Sequence, residues 1–283
     1  MPRIHPTAYV APGAELDDSV VVGPFCYVGS KVRIGADTWL GPHVTLQGRT
    51  TIGERNQIVG QAAIGGPPQD LKYAGEESAL VIGDDNVIRE FVTINIGTAA
   101  GSWITSVGSR NLIMACAHVA HDCVLEDEVI LGNNVLLAGH VRVESQAIVS
   151  GGTAVNHFVT IGTLAMVGGM SRVVKDVPPY MVTEGSPARV RNVNLVGLRR
   201  RSRPQEVIEQ LREVHRACFT DGTPIAVAVR QFEEREDLVP EVRRLLSFLR
   251  DMERGYQGRY RESLRRPPAE SEPSSEEGER SRA

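Results

Sequence analysis

Residues 114–140 read MACAHVAHDCVLEDEVILGNNVLLAGH. Within them Val119, Leu125, Leu131 and Leu137 fall six residues apart. An α-helix repeats at about 3.6 residues and a plain strand at about two, so neither explains the spacing. The step continues outward, back through Ile113 and Val107 and forward through Val143, Val149, Val155, Ile161, Val167 and Val173. An earlier array keeps the same step through Ile4, Val10, Leu16, Val22, Val28, Ile34, Leu40, Leu46, Ile52, Ile58 and Ile64. Ile82, Ile88 and Ile94 lie between the two, separated from them by interruptions at 65–80 and 97–105.

A sustained period of six is the signature of a hexapeptide β-helix. Each short strand supplies an inward aliphatic, and the chain then turns sharply. Three hexads close one coil of eighteen residues, and coils stack as parallel strands about 4.8 Å apart. Glycine often follows the aliphatic, as in Val22-Gly23, Ile34-Gly35 and Ile52-Gly53. The expectation is that it supplies the backbone angles of the corners. The two interruptions read as loops ejected from corners, where a rigid scaffold can carry binding residues.

The predicted fold is therefore mainly β: a β-helix over 1–187 with two ejected loops, then an α-helical C-terminal subdomain over 188–260. Between them, KDVPPYMVTEGSPARVRNVNLVGLRRRSRP reads as a Pro/Gly-rich hinge that turns basic. Ser202 and Gln205 have the spacing of a capping box, with Pro204 between them. Val207, Ile208, Leu211 and Val214 form one apolar helical face, Ile225 to Phe232 a shorter one, and Val242, Leu245, Leu246, Leu249 and Met252 a third. Residues 261–283 are polar and rich in Pro, Ser and Glu, and read as a disordered acidic tail.

The 283 residues carry a formal net charge of −4, which gives no general attraction for nucleic acid. Cys26, Cys116, Cys123 and Cys218 form no CxxC pair and read as free thiols of a reducing, cytoplasmic compartment. No run approaches the ~20 apolar residues of a membrane helix.

Residues eighteen apart stack in such a coil. Stepping from His121 gives Gly139 and then His157, and Asp122 stacks under His140. The period alone gathers His121, Asp122, Gly139, His140, Asn156 and His157 at one corner of three successive coils, with His118 at a neighbouring position. An imidazole beside a carboxylate is a candidate general base. A glycine lets a backbone N–H approach a developing oxyanion. No nucleophile has supporting context, so direct acyl transfer to a hydroxyl deprotonated by His121 is the simplest chemistry. Two other readings compete. The histidines can be hydrogen-bonded turn residues of a non-enzymatic scaffold or carrier-binding module. His118, His121 and His140 can hold zinc with an open position, as in a metal-dependent hydratase. In a chain poor in lysine, Asp70 and Lys72 of the first loop are candidate binding residues, the bland reading being incidental charges on a solvated loop.

The motifs HPTAYV, IGGPPQDLKYAGE, AHVAHDC, LAGHV, MVGG, DVPPY and VNLVGLRRR, spread over about Ile4 to Tyr260, resemble the UDP-N-acetylglucosamine O-acyltransferases of lipid A biosynthesis. The resemblance implies a left-handed coil and a homotrimer with sites in clefts between subunits. It implies transfer of an (R)-3-hydroxyacyl group from acyl carrier protein to the 3-hydroxyl of UDP-N-acetylglucosamine, without a cofactor or metal. By motif match His121 is the base, Asp122 its orienting partner and Gly139 the oxyanion donor. Gln69, Asp70, Lys72, His118 and His140 match substrate contacts. Asn194 and Arg200 match contacts to nucleotide or carrier arm, and Gly169 the position limiting acyl length. Asn156 and His157 stand where the family reads His-Gln, on the acyl side, and Val196 where an acidic residue is common. The related N-acyltransferases usually carry a domain before the hexads, which begin here at Ile4. The basic run Arg199–Arg203 is a candidate docking patch for the acidic carrier protein.

Overall fold

The computed structural model describes residues 1–265; the remainder of the acidic segment, 266–283, lies outside the described residues. Short strands pair in parallel into three sheets of eleven, nine and eight strands. Ile4 pairs with Val22, Val22 with Leu40 and Leu40 with Ile58, so each coil takes eighteen residues. Successive hexads occupy three faces in turn. Leu40 lies on the first face, Leu46 on the second and Ile52 on the third. Every hexad aliphatic from Val22 to Val173 is at most 4 % exposed. Each such burial contributes about 1.5–3 kcal/mol. The terminal coil differs: Ile4 is 42 % exposed, and Val10 and Leu16 are half-buried, because no coil lies beneath them.

The expectation of one inward residue per strand is incomplete. The residue two places earlier also points inward, and Val20, Cys26, Val32, Val44, Val92, Ala117 and Val135 are all buried. Along one edge this second column is polar. Asn86 donates its backbone N–H and side-chain amide to Asn56 Oδ1, and Asn111 N–H donates to Asn86 Oδ1. The ladder satisfies corner N–H groups that would otherwise be buried unpaired.

The glycine reading needs a different physical reason. The left-handed backbone angles of the corners fall three places after most of the aliphatics, largely on non-glycine residues such as Phe25, His43, Asp122, Asn134 and His140. The glycines directly after the aliphatics are required for space instead. A Cβ on Gly41 would lie 1.8 Å from the Val59 carbonyl oxygen, and one on Gly23 would lie 2.7 Å from that of Leu40.

Both interruptions leave the solenoid between the second and third faces. The strand Ala63–Gly66 lies on the second face, and the chain returns to the third face at Ala79–Ile82; Asn95 ends the next second-face strand, and the chain returns at Ile104–Val107. The first face absorbs both without a slip, since Ile58 pairs with Ile88 and Ile88 with Ile113, while the second face shifts register between Ile64 and Gly66 where the first loop leaves.

The stretch read as a hinge is an antiparallel hairpin. Met181–Gly185 pairs with the last first-face strand, Met166–Val167, and then with Ala188–Val193. Five helices follow among the described residues: α1 (Leu195–Arg200), α2 (Gln205–Phe219), α3 (Ile225–Glu233), α4 (Pro240–Arg254) and α5 (Tyr260–Ser263). The capping box does not form. Ser202 N–H donates to Arg199 O and Arg203 N–H to Leu198 O, so these residues close α1 rather than open α2. Pro204 then precedes α2 with no side-chain cap. The apolar faces of α2 and α4 bury Val207, Ile208, Leu211, Val214, Val242, Leu245, Leu246 and Leu249 in a second core, shared with Tyr180, Met181 and Leu164 of the solenoid end. Residues 261–265, assigned by composition to the tail, complete and follow α5 instead. Among the described residues no helix is long and apolar enough to cross a membrane.

Because Gly41 is kept by space rather than by backbone angle, Gly41→Ala is expected to destabilise the protein by about 1–3 kcal/mol. Gly66→Ala, whose Cβ would meet only Asn95 Nδ2 at 3.8 Å, is expected to leave the melting temperature nearly unchanged. Thermal melts of the two variants check this.

Candidate active site at one corner of the solenoid

The corner between the second and third faces carries His121-Asp122, one coil on Gly139-His140, and one coil further His157-Phe158. Asp122 and His140 are themselves the left-handed residues of their turns, with φ of 59° and 65°. His140 N–H donates to His121 O at 3.0 Å, which locks one turn onto the next.

His121 Nδ1 lies 2.8 Å from Asp122 Oδ2, and both side chains are buried. Asp122 also accepts from Thr98 N–H (3.1 Å), Thr98 Oγ1 (2.6 Å), Ser102 N–H (2.8 Å) and Ser102 Oγ (3.2 Å). These four bonds come from the second ejected loop, which leaves the same corner one coil earlier. Gly101 makes the wrap possible, since a Cβ there would lie 2.3 Å from the Asp122 carboxyl carbon. Burial opposes the charged form of Asp122, but the hydrogen bonds from His121, Thr98 and Ser102 outweigh it and hold the carboxyl far below its usual range. An ionised carboxylate only accepts, so His121 carries its proton on Nδ1 and presents a bare lone pair at Nε2.

Nε2 faces two features. Asp70 of the first ejected loop places Oδ2 4.0 Å away. Its own carboxyl is held below the usual range, first by the Lys72 backbone N–H. Gly139 lies on the other side, where a Cβ would stand 2.6 Å from Nε2. Among the described residues the Gly139 N–H donates to no acceptor.

His140 stacks on Phe158 at 4.4 Å and sits edge-on to His121 at 5.0 Å. Burial pushes its pKa down to about 4, so it is neutral near pH 7. Its Nδ1 is 3.8 Å from Asp122 Oδ2, too far for a hydrogen bond. His118 is half-buried and bonded to Thr93 Oγ1 at 2.7 Å, and burial lowers its pKa as well. The zinc reading fits poorly. His121, Asp122 and His140 bring donor atoms within 4.8 Å of one another, but both Asp122 oxygens are already engaged by the five donors named above. His118 stands outside that group. Neither is a cysteine nucleophile present at the corner: Cys123 is buried and its thiol is pushed up to about 12 by burial, and Cys116 occupies a different corner.

The remaining candidates divide. Gln69 and Lys72 are exposed on the first loop, and Asn156 and His157 are exposed on the site's corner, one coil beyond His140. The stacking partner of His140 is Phe158, not the Asn156-His157 pair, although stepping by eighteen from Asp122 reaches it. Gly169 is exposed on the corner between the first and second faces. Asn194 is buried and caps α1, accepting from Gly197 N–H and donating to Leu164 O on the corner between the third and first faces. Arg200 is exposed at the end of that helix. One chain thus spreads its candidate residues over three corners. Thr98, Gly101 and Ser102 escaped the sequence reading because the loop that delivers them has no period.

The parallel β-helix matches those of known acyltransferases. A family model described as UDP N-acetylglucosamine O-acyltransferase, domain 2, matches residues 176–257. An acyl-(acyl-carrier-protein)–UDP-N-acetylglucosamine O-acyltransferase from Thiobacillus denitrificans is 48 % identical over 255 residues, 90 % of this chain and 99 % of that protein. One of the same name from Synechocystis is 53 % identical over 168 residues, 59 % of this chain and 60 % of that protein. The crystal structure of the UDP-N-acetylglucosamine O-acyltransferase of Moraxella catarrhalis superposes with a TM-score of 0.84 at 40 % identity, covering 87 % of this chain and 96 % of that one. The fold is the left-handed parallel β-helix with a small helical C-terminal part, and the protein is an acyltransferase. The chain belongs to the family of UDP-N-acetylglucosamine O-acyltransferases.

Asp122→Asn sets amide N–H groups against donors. It is expected to lower turnover by about 10²–10⁴-fold and stability by about 1–3 kcal/mol. The stability gap from the native protein is full above the unfolded carboxylate pKa of about 4 and shrinks as pH falls toward the lower folded value. Steady-state kinetics and denaturation at several pH values check both.

Proposed function

We propose that the protein transfers an (R)-3-hydroxyacyl group from acyl carrier protein to the 3-hydroxyl of UDP-N-acetylglucosamine, the first step of lipid A biosynthesis. The observation that carries the mechanism is the bare Nε2 of His121 beside the free N–H of Gly139. His121 Nε2 takes the proton of the sugar hydroxyl as its oxygen attacks the thioester carbonyl. Asp122 holds the ring and stabilises the imidazolium. Negative charge on the carbonyl oxygen is met by the Gly139 N–H. The carbon–sulfur bond then breaks, and the leaving thiolate takes the proton back from His121. No covalent enzyme intermediate is required.

The sugar nucleotide is read against Asp70, Lys72, Gln69, His118 and His140, with Asn156 and His157 toward the acyl chain. Asn194, Arg200 and Gly169 lie at other corners of the same chain, so they serve a His121 site only from a neighbouring subunit. This favours a homotrimer in which clefts between chains are the working sites. Arg201 pairs with Glu128 and Arg203 with Glu241, so the charges left to steer an acidic carrier protein are Arg199 and Arg200. The substrates are those of the cytoplasm, where we place the protein.

His121→Ala is expected to lower transfer by about 10²–10⁴-fold while the protein stays folded and still binds UDP-N-acetylglucosamine. Mass spectrometry of the product formed from UDP-N-acetylglucosamine and a mixed set of hydroxyacyl carrier proteins tests the reaction. An unmodified sugar nucleotide with the native protein, or full turnover in the variant, would sink the assignment.

A further inference from the structure

The end of the described chain returns to the site from behind. Asp176 N–H donates to Gly258 O, Tyr260 N–H donates to Asp176 Oδ2, and Arg259 Nη1 donates to Val174 O. Arg261 then reaches the solenoid corner and donates from Nη1 to the carbonyl of His140 at 2.6 Å. Arg265 stands over the outer face of Phe158 at 4.8 Å, and Phe158 stacks on His140. Elsewhere the carbonyls of the left-handed corner residues are left without a side-chain donor. Among the described residues only Leu164, held by Asn194, and His140, held by Arg261, accept one. Both donors belong to the C-terminal unit.

Packing does not explain this grip. A cavity of about 180 Å³ lies between α4–α5 and the solenoid, lined by Arg142, Glu144, Asp176, Phe248, Tyr260 and Arg261. The α5 turn is therefore held beside a gap by hydrogen bonds, and Arg261 is half-buried in surroundings that disfavour its charge. A half-buried guanidinium beside an open cleft carries part of a desolvation cost. The contact it makes in return is with the backbone of the residue that flanks the His121 ring.

We propose that α5 is a strap, and that Arg261 is a positioning residue which fixes the His140 turn so that its ring packs between Phe158 and His121. The peptide of His140 is then held on both sides, its N–H by His121 O and its C=O by Arg261. With that turn free to tilt, His140 leaves the edge of His121 and Gly139 leaves Nε2, because residues 139 and 140 share one turn. The proposal rests on the acyl-transfer reading for its kinetic consequence only.

The experiment compares Arg261→Ala, Arg261→Lys and Arg265→Ala in the full chain. Arg261→Ala is expected to lower kcat about ten- to a hundred-fold, with KM for UDP-N-acetylglucosamine nearly unchanged. Lysine, which keeps one donor, is expected to restore most of it. A substrate-free readout runs beside this: the ring protons of His140, assigned with His140→Gln in histidine-labelled protein. The stacked Phe158 ring shifts them upfield, and Arg261→Ala is expected to move them back toward free imidazole values. Exposed Arg265 can be removed without risk to folding, and Arg265→Ala is expected to move the same signals in the same direction. Native kcat and unmoved His140 signals in both alanine variants would overturn the proposal. So would a loss in Arg261→Ala that lysine fails to rescue and that tracks a lowered melting temperature. Absence of turnover by the native protein would instead refute the acyl-transfer reading, and the His140 signals would still decide the role of the strap.

Discussion

The hydrogen bonds between successive coils are the constraint on which the rest of the molecule depends. Each coil presents its strand N–H groups to the carbonyls of the next, as Gly41 N–H does to Ile58 O and Gly132 N–H to Val149 O. That spacing leaves room inside for one large aliphatic and one small residue per hexad. A corner cannot drift by one residue without turning an aliphatic outward on every face above it. The chemistry inherits this rigidity. His121, Gly139 and Phe158 are placed by coil closure rather than by loop conformation, and only the groups that touch Asp122 and Nε2 from outside arrive on loops.

The two ejected loops show how a rigid repeat acquires a site. Both leave at the corner that holds His121, in the two coils preceding it, so their tips fall over it. One delivers Thr98 and Ser102 to the carboxylate, and the other brings Asp70 toward the imidazole. The C-terminal unit reaches the same corner from the opposite end of the coil stack. Three separate pieces of chain thus converge on His121, Asp122 and His140, and the hexads supply the floor between them.

The parts of this arrangement legible in the sequence are those fixed by covalent spacing. A step of six gives the strands and a step of eighteen gives the column, so His121 under Gly139 and Asp122 under His140 follow from counting. The same step carried once more reaches Phe158, whose ring stacks on His140. What counting cannot give is the destination of aperiodic chain, and so Thr98, Gly101, Ser102 and Arg261 were out of reach. Composition assigned residues 261–265 to the tail because arginine and glutamate look alike whether solvated or paired. Ser202 and Gln205 had capping-box spacing, but closure of α1 claimed the backbone of Ser202 first. The corner glycines were noticed for a sound reason applied at the wrong place: the coils need their lack of a Cβ, while side chains such as Asp122 bear the unusual angles.

That last feature spreads backbone strain along the whole solenoid. An L-residue in the left-handed region costs about 1 kcal/mol or more relative to glycine, and the corner at Asp122 and His140 accepts this cost twice in adjacent coils. Phe25, His43, Asn134 and Phe158 accept the same cost at other turns, and at Asp122 the five donors on the carboxylate offset it. Asp122 and His140 therefore differ from the other corner residues in what their side chains reach, not in the strain their backbones carry.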